Sequence, residues 1–350
     1  MLEVRNITKT IDTFALKNIS FEVTQGEYFV LLGKSGVGKT ILLEIISGLL
    51  EPDNGRIILD GHDVTREKIQ KRHIGIVYQD KALFPHLSVQ ENLSYPLRCR
   101  RVSRKEIDAR IEQLAEDIGF MPLLKRKPET LSSGEAQRVA LARTLATEPK
   151  CLLLDEPISS LDIQAKSEIR ALLRRINRSG QTMIHVTHDY EEAISLATRI
   201  AVMEDGKISQ VGSPYEVFQH PKSEFVAKFI GIKNIFKGEL RNSGNELAEF
   251  VTEGKRFFIL SDKESGTGSM VLRGEDITIS NTNLQTSARN TFKGIITDIE
   301  MDRLSSEVTV DIGIEMSALI TRDSLEKLGL CLGKEVWINF KATSPRYIEE

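Results

Sequence analysis

The sequence predicts an α/β domain wound around a phosphate-binding loop, followed by a small all-β domain. Three observations predict it. The stretch Gly33-Lys34-Ser35-Gly36-Val37-Gly38-Lys39-Thr40 has the spacing G-x-x-x-x-G-K-[ST]. It lies between two apolar runs, Tyr28-Phe29-Val30-Leu31-Leu32 and Ile41-Leu42-Leu43-Glu44-Ile45-Ile46, giving the strand, glycine loop and buried helix this motif needs. Apolar runs ending in polar residues then recur. Ile74 to Tyr78 precedes Gln79, Cys151 to Leu154 precedes Asp155-Glu156, and Met183 to Val186 precedes Thr187-His188-Asp189. Such runs read as buried strands, and ligands collect at their carboxyl ends. From about residue 235 the pattern turns mostly β, with alternation in Phe292 to Thr297 and Val308 to Ile312.

Size and composition set the frame. A chain of 350 residues suggests two or three domains, and 40% hydrophobic residues supply ordinary globular cores. A net charge of −3 argues against nucleic acid as the main partner. Cys99, Cys151 and Cys331 are far apart and read as reduced thiols of a cytosolic protein. No signal peptide is visible after Met1, and no apolar run approaches the ~18 residues of a membrane span. Work at a membrane would then go through a partner.

The loop has a defined chemistry. Its glycines let successive N–H groups from Gly33 through Gly38 turn inward onto phosphate oxygens, and the helix start adds the positive end of its dipole. Lys39 is expected to reach the β- and γ-phosphates of a bound nucleotide, and the Thr40 hydroxyl to ligate Mg²⁺. Upstream, residues 1–30 read as antiparallel strands, in which Phe14 either stacks on adenine or packs in the core. Glu51-Pro52-Asp53-Asn54-Gly55 is a turn, and Arg56 to Gly61 a strand with a second turn. Gln79 either orients water or Mg²⁺ near a γ-phosphate or is an ordinary loop glutamine. Residues of about 80–150 form a helical insertion. In it Ser103 and Glu106 make a capping box, and Ile107, Ile111, Leu114 and Ile118 recur at helical spacing. Leu131-Ser132-Ser133-Gly134-Glu135 then opens a helix whose serine-capped start is either an anion site or a common helix start. Asp155 is placed to hold Mg²⁺, and Glu156 to polarise the water that attacks the γ-phosphate. His188 contacts that phosphate or is structural.

Together and in this order, these pieces resemble the ATPase subunit of an ABC transporter over residues 1–230. The resemblance makes Gly33 to Thr40 the Walker A loop, Gln79 the Q-loop glutamine and Leu131 to Glu135 the signature. Leu152 to Asp155 with Glu156 is Walker B, Ser159-Ser160-Leu161-Asp162 the D-loop, and His188 the switch histidine. It implies a head-to-tail homodimer in which each ATP lies between one Walker A loop and the partner's Ser132, Ser133, Gly134 and Glu135. Charge in the transition state is then stabilised only when the dimer closes. Two positions depart from the family pattern. The signature usually reads L-S-G-G-Q, and here Ser133 replaces the first glycine, either crowding the nucleotide or adding a donor. The aromatic usually found under adenine near residue 11 is Ile11, with Phe14 as the substitute.

The C-terminal third, residues 231–350, is expected to be a separate small β-barrel joined after a helix around Phe225 to Phe229, with a loop at Ser265-Gly266-Thr267-Gly268. Leu272 to Ile277 is similar to the L-R-P-E-D-I stretch of importer ATPases. Thr286 to Gly294, Ile320 to Leu325 and Phe340 to Ser344 resemble, in order, segments of a molybdate-binding barrel over roughly 285–345. That resemblance implies an oxyanion site made by Ser287, Ala288 and Arg289 with Lys341, Ala342 and Thr343, the two segments meeting across a dimer. A tetrahedral oxyanion suits amide and hydroxyl donors, and molybdate and tungstate are near-isosteric. In relatives of this kind the bound oxyanion holds the ATPase halves apart.

The expected protein is thus a molybdate/tungstate importer ATPase, peripheral on the cytoplasmic face of the membrane. It would pair with itself, dock under two permease subunits and work indirectly with a substrate-binding protein. Lys81 to Pro96 either docks to the permease or packs internally. The rivals are an importer ATPase for sulfate, a sugar or a polyamine with a merely structural barrel, a non-transport ABC ATPase, and an oxyanion sensor.

Overall fold

The computed structural model describes residues 2–242, 244, 247–302 and 305–349. It divides into two compact units, Met1–His220 and Pro221–Glu350.

In the first unit the strands are β1 (Leu2–Ile11), β2 (Phe14–Val23), β3 (Tyr28–Leu32), β4 (Asn54–Leu59), β5 (His62–Asp63), β6 (Ile74–Val77), β7 (Cys151–Asp155), β8 (Thr182–Thr187), β9 (Arg199–Glu204) and β10 (Lys207–Gly212). Its helices are α1 (Lys39–Ser47), α2 (Val89–Cys99), α3 (Arg104–Ile118), α4 (Ser133–Leu145), α5 (Ile163–Arg178), α6 (Tyr190–Leu196) and α7 (Pro214–Gln219).

An antiparallel sheet in the order β2-β1-β4-β5 faces a larger one in the order β10-β9-β3-β8-β7-β6. In the larger sheet β9, β3, β8, β7 and β6 run parallel. All five residues of β3 and of β7 are buried, and all six of β8, as expected for strands covered on both faces. Phe29 and Leu31 of β3 share one core with Val4 and Leu16 from the antiparallel sheet and Leu42 and Ile46 of α1. Phe21 stacks on Phe29 with ring centroids 4.9 Å apart.

The insertion is helical because its helices start well. Ser88, Ser103 and Ser132 each close a capping box, with Glu91, Glu106 and Glu135 respectively. The far end of α1 is closed differently. Gly48 is left-handed, with φ 89, and the buried Arg72 supplies the missing donors. Its guanidinium donates to Ile45 O at 2.9 Å, Ile46 O at 3.1 Å and Glu67 O at 3.0 Å, and also to Thr65 O.

The second unit holds α8 (Glu224–Phe229), β11 (Asn234–Arg241), β12 (Leu247–Thr252), β13 (Lys255–Leu260), β14 (Gly266–Leu272), β15 (Thr278–Ser280), β16 (Asn290–Met301), β17 (Ser305–Asp311), β18 (Glu315–Thr321), α9 (Arg322–Lys327), β19 (Glu335–Phe340) and β20 (Arg346–Glu349). The expected small β domain is built as two five-stranded sheets, β13-β12-β11-β14-β20 and β15-β19-β16-β17-β18. Phe250, Phe257 and Met270 from the first meet Val308, Ile338 and Phe340 from the second in one core.

Two details differ from the sequence expectations. The division falls at His220/Pro221 rather than at residue 230. α8 goes with the second unit because Glu224 accepts a hydrogen bond from Ser269 of β14 and pairs with Lys237 of β11 at 3.5 Å. Gly266 and Gly268 are not loop residues. They lie in β14, an inner strand, where Gly268 pairs with both Gly238 and Glu349. A Cβ there would strike Ile348 O and the Tyr347 ring, so the glycine marks a close backbone approach. Cys99 and Cys331 are exposed and Cys151 is buried, and all three are free. Among the described residues no helix is long and apolar enough to cross a membrane.

Candidate functional site

The order β3-β8-β7-β6 brings four strand ends to one edge of the sheet. Gly33 follows β3, His188 follows β8, Asp155 ends β7, and Gln79 lies two residues beyond β6. Sheet topology thus gathers residues that are more than 150 positions apart in sequence.

The loop wraps its own lysine. Lys39, 5% exposed, donates from Nζ to Gly33 O and Lys34 O, both at 2.8 Å. Burial lowers its pKa, and the nearby Glu156 and Asp155 carboxylates oppose that. Lys34, Ser35 and Gly36 form the exposed crest, and Val37 is tucked in. Gly36 and Gly38 have φ 84 and 95, a region open to glycine at little cost. Phe14 is half-buried, and a Cβ on Gly38 would overlap its ring. The ring therefore lies directly on the loop, and Ile11 pairs with it across the β1–β2 hairpin.

Thr40 Oγ1 donates to Asp155 Oδ1 at 3.3 Å. Burial raises the Asp155 pKa and the adjacent Glu156 charge adds to it, while the Thr40 bond works against both. Glu156 is left-handed, with φ 44, and its N–H is held by Val186 O at 3.0 Å. A strained residue fixed at a strand end is typical of a working position. His188 Nδ1 lies 2.8 Å from Glu156 Oε1. Gln79 is exposed, and its amide donates to Ser159 Oγ at 3.3 Å rather than to Thr40 or Asp155. Ser159 in turn donates to Glu156 O at 3.0 Å. Asp162 caps α5 through Ala165 N at 2.9 Å.

At the start of α4, Ser132 N donates to Glu135 Oε2 at 2.8 Å and Ser132 Oγ accepts from Glu135 N at 3.3 Å. Gly134 is buried, and a Cβ on it would come within 3.1 Å of Ala165 Cβ. The half-buried Ser133 accepts from Lys81 Nζ at 2.7 Å.

Behind His188 lies a network that the sequence did not reveal, in which Tyr28 of β3 joins residues 185–192. His185 is fully buried, with Nδ1 3.0 Å from the Tyr28 hydroxyl and Nε2 3.6 Å from Glu192 Oε2. Glu192 accepts from Thr187 Oγ1 at 2.9 Å, and that hydroxyl accepts from Asp189 N at 3.0 Å. The network thus fixes the turn that carries His188.

Burial pushes the His185 imidazole down to about 3, against about 6.5 in an unfolded chain. As pH falls through 6.5 the unfolded chain takes up a proton that the folded chain refuses. Stability from this residue is complete above pH 6.5 and drains away toward pH 3. Glu192, raised by burial, contributes with the opposite sign. We expect wild-type stability to fall by about 2 kcal/mol more than that of His185→Asn between pH 6.5 and 5, read by thermal unfolding. Parallel curves would contradict this.

In the second unit Asn290 pairs with Phe340. Arg289 and Lys341 therefore flank the same end of the β16–β19 ladder within one protomer. The two segments thus adjoin within one protomer, beside the expectation that they meet across a dimer. Both are anchored on β13, since Asn290 exchanges hydrogen bonds with Phe258 and Leu260 N donates to Ala342 O at 2.8 Å. Ser287, Arg289, Lys341 and Thr343 are exposed, Ala288 is half-buried and Ala342 buried. The Ala288 amide is engaged with Thr286 Oγ1 at 3.1 Å.

Residues 16–159 match the ABC transporter family model, and residues 286–344 match the TOBE domain. The chain is 44% identical over 348 residues to a molybdate/tungstate import ATP-binding protein of Pyrococcus abyssi, covering 98% of this chain and 99% of that protein. Among solved structures, cbiO1 of Clostridium perfringens, part of the ABC transporter complex cbiONQ, has a TM-score of 0.59 at 34% identity, covering 63% of this chain and 90% of that one. An ATP-binding cassette solved as a dimer with ADP and phosphate in a post-hydrolysis state has a TM-score of 0.55 at 31% identity, covering 61% and 99%. The chain therefore belongs to the ATP-binding proteins of ABC transporters.

Proposed function

We propose that this chain hydrolyses ATP to drive a molybdate/tungstate importer, and that its second unit binds the same oxyanion as a feedback signal. Near full-length similarity to a protein of that name favours the substrate. The observation that carries the regulatory site is the Asn290–Phe340 register, which sets Arg289 beside Lys341. Two cations with the Ser287 and Thr343 hydroxyls at one strand end suit a small dianion.

In the first unit, the loop amides and Lys39 bind the triphosphate. Thr40 and Asp155 are already within hydrogen-bond reach of each other, and a hydroxyl and a carboxylate suit a hard cation. They would hold Mg²⁺, with Gln79 as a third oxygen donor on release from Ser159. When bound, the ion neutralises charge on the β- and γ-phosphates. Glu156 accepts the proton of the attacking water, and His188 fixes the carboxylate. In a head-to-tail homodimer the partner's Ser132 helix start faces the γ-phosphate, so turnover follows closure. Lys81 to Pro96 forms part of the cleft by which the homodimer docks beneath two permease subunits, which place the chain on the cytoplasmic face of the membrane. A substrate-binding protein acts on the far side.

The test is calorimetric titration of the full chain with tungstate, using sulfate as control. Micromolar or tighter tungstate binding, abolished in Arg289→Ala/Lys341→Ala and absent with sulfate, is expected. Heat with sulfate alone would move the assignment to a sulfate importer. Heat with neither would make the second unit a spacer.

A further inference from the structure

The loop after Gln79 contains two successive left-handed residues that are not glycine, Lys81 with φ 64 and Ala82 with φ 44. Such a conformation persists only where its surroundings impose it. One helix imposes it here. Arg143, near the end of α4, donates to Ala82 O at 2.7 Å and Lys81 O at 3.2 Å, with its guanidinium 5.4 Å from the Phe84 ring. Ser133, the first residue of α4, accepts from Lys81 Nζ at 2.7 Å. The loop is thus clipped to both ends of one helix. Its other side is tied to the strand edge, since Gln79 reaches Ser159 and Ser159 reaches Glu156 O.

Each link has a reason in side-chain chemistry. Arg143 can satisfy two backbone carbonyls because its donors form a rigid fork. Lys81 is long enough to run from the strained backbone to the start of α4. There it needs an acceptor, which glycine, the usual residue at that signature position, lacks. The hydroxyl of Ser133 supplies it.

We propose that Lys81 is a positioning residue: through the Ser133 hydroxyl it fixes the start of the signature helix relative to the Gln79 loop, so the serine at this position is the second half of a strut. The proposal rests on Leu131 to Glu135 acting as the signature. It assigns Ser133 a role within its own subunit, distinct from any contact with nucleotide.

The experiment is a double-mutant cycle on the full chain, following ATP hydrolysis in Lys81→Met, Ser133→Ala and the double variant, with Ser133→Thr as the conservative control. Each single change is expected to lower kcat about tenfold with KM for ATP within about twofold. The double variant should fall no further, a coupling of about 1.4 kcal/mol. Ser133→Thr should keep at least half of wild-type kcat. Independently of turnover, the Lys81 amide, which donates to Tyr78 O at 3.0 Å, should exchange its hydrogen about tenfold faster in Ser133→Ala. Losses that multiply in the double variant, or an unchanged Lys81 amide, would overturn the strut. A wild-type chain without turnover would count against the ATPase reading, and the exchange measurement would still decide the strut.

Discussion

Glu156→Gln is expected to lower kcat for ATP hydrolysis by about 10³-fold, while ATP binding stays within a few fold of wild type. A general base contributes about 10²–10⁴-fold, and an amide cannot take the proton of the attacking water. The substitution keeps the shape of the side chain. The strained backbone at φ 44 and its hydrogen bond to Val186 O do not depend on the carboxylate, so the strand edge should survive. The Glu156 side chain is 17% exposed, with His188 Nδ1 at 2.8 Å from its carboxylate. With glutamine in place, that ring can still be held through the amide oxygen. Phosphate release read beside equilibrium ATP binding separates the two steps, and an ATP-loaded dimer should accumulate in light scattering. A loss below tenfold would move the base elsewhere. A parallel loss of binding would mean that the substitution disturbed the phosphate loop.

The site could be read from sequence to the extent that its residues sit next to buried strands. Asp155, Glu156 and His188 each follow an apolar run that could only be an interior strand, and the spacing of Gly33 to Thr40 fixes the loop. What the sequence did not carry was the partner of each residue. Gln79 was legible as a strand-end glutamine, but its link to Ser159 joins segments 80 residues apart. The strain at Lys81 and Ala82 is imposed by Arg143 from another helix and leaves no glycine in the sequence to announce it. In the second unit, glycines at 266 and 268 imitate a loop because sequence does not distinguish a glycine needed for φ from one needed for close approach. α8 reads from sequence as the end of the first unit because its polar partners, Ser269 and Lys237, come later in the chain.

Arg72 is the clearest such case, and its removal carries the largest expected stability effect. It is 2% exposed, burial lowers its pKa, and every hydrogen bond it makes in the interior goes to a backbone carbonyl. Two of those carbonyls, of Ile45 and Ile46, belong to the last turn of α1, where few N–H groups follow to satisfy them; Ile45 O also accepts from Gly48 N at 3.2 Å. Methionine fills a similar volume and donates nothing. Each buried carbonyl left without a donor costs about 1–3 kcal/mol, and some rehydrate. Arg72→Met should therefore destabilise the first unit by about 3–5 kcal/mol, lowering its melting temperature by roughly 6–20 °C. Lysine should recover only part of this, since one ammonium cannot span the fork. The loss should also reach the nucleotide. α1 presents Lys39 and Thr40 on its first turn and fills the core with Leu42, Leu43, Ile45 and Ile46. A loosened last turn lets the whole helix shift against β3 and the loop. ATP should consequently protect Arg72→Met less than it protects the wild type in thermal unfolding. A variant that melts within 2 °C of wild type would show that the carbonyls find other donors, and that Gly48 with its left-handed turn is a sufficient cap.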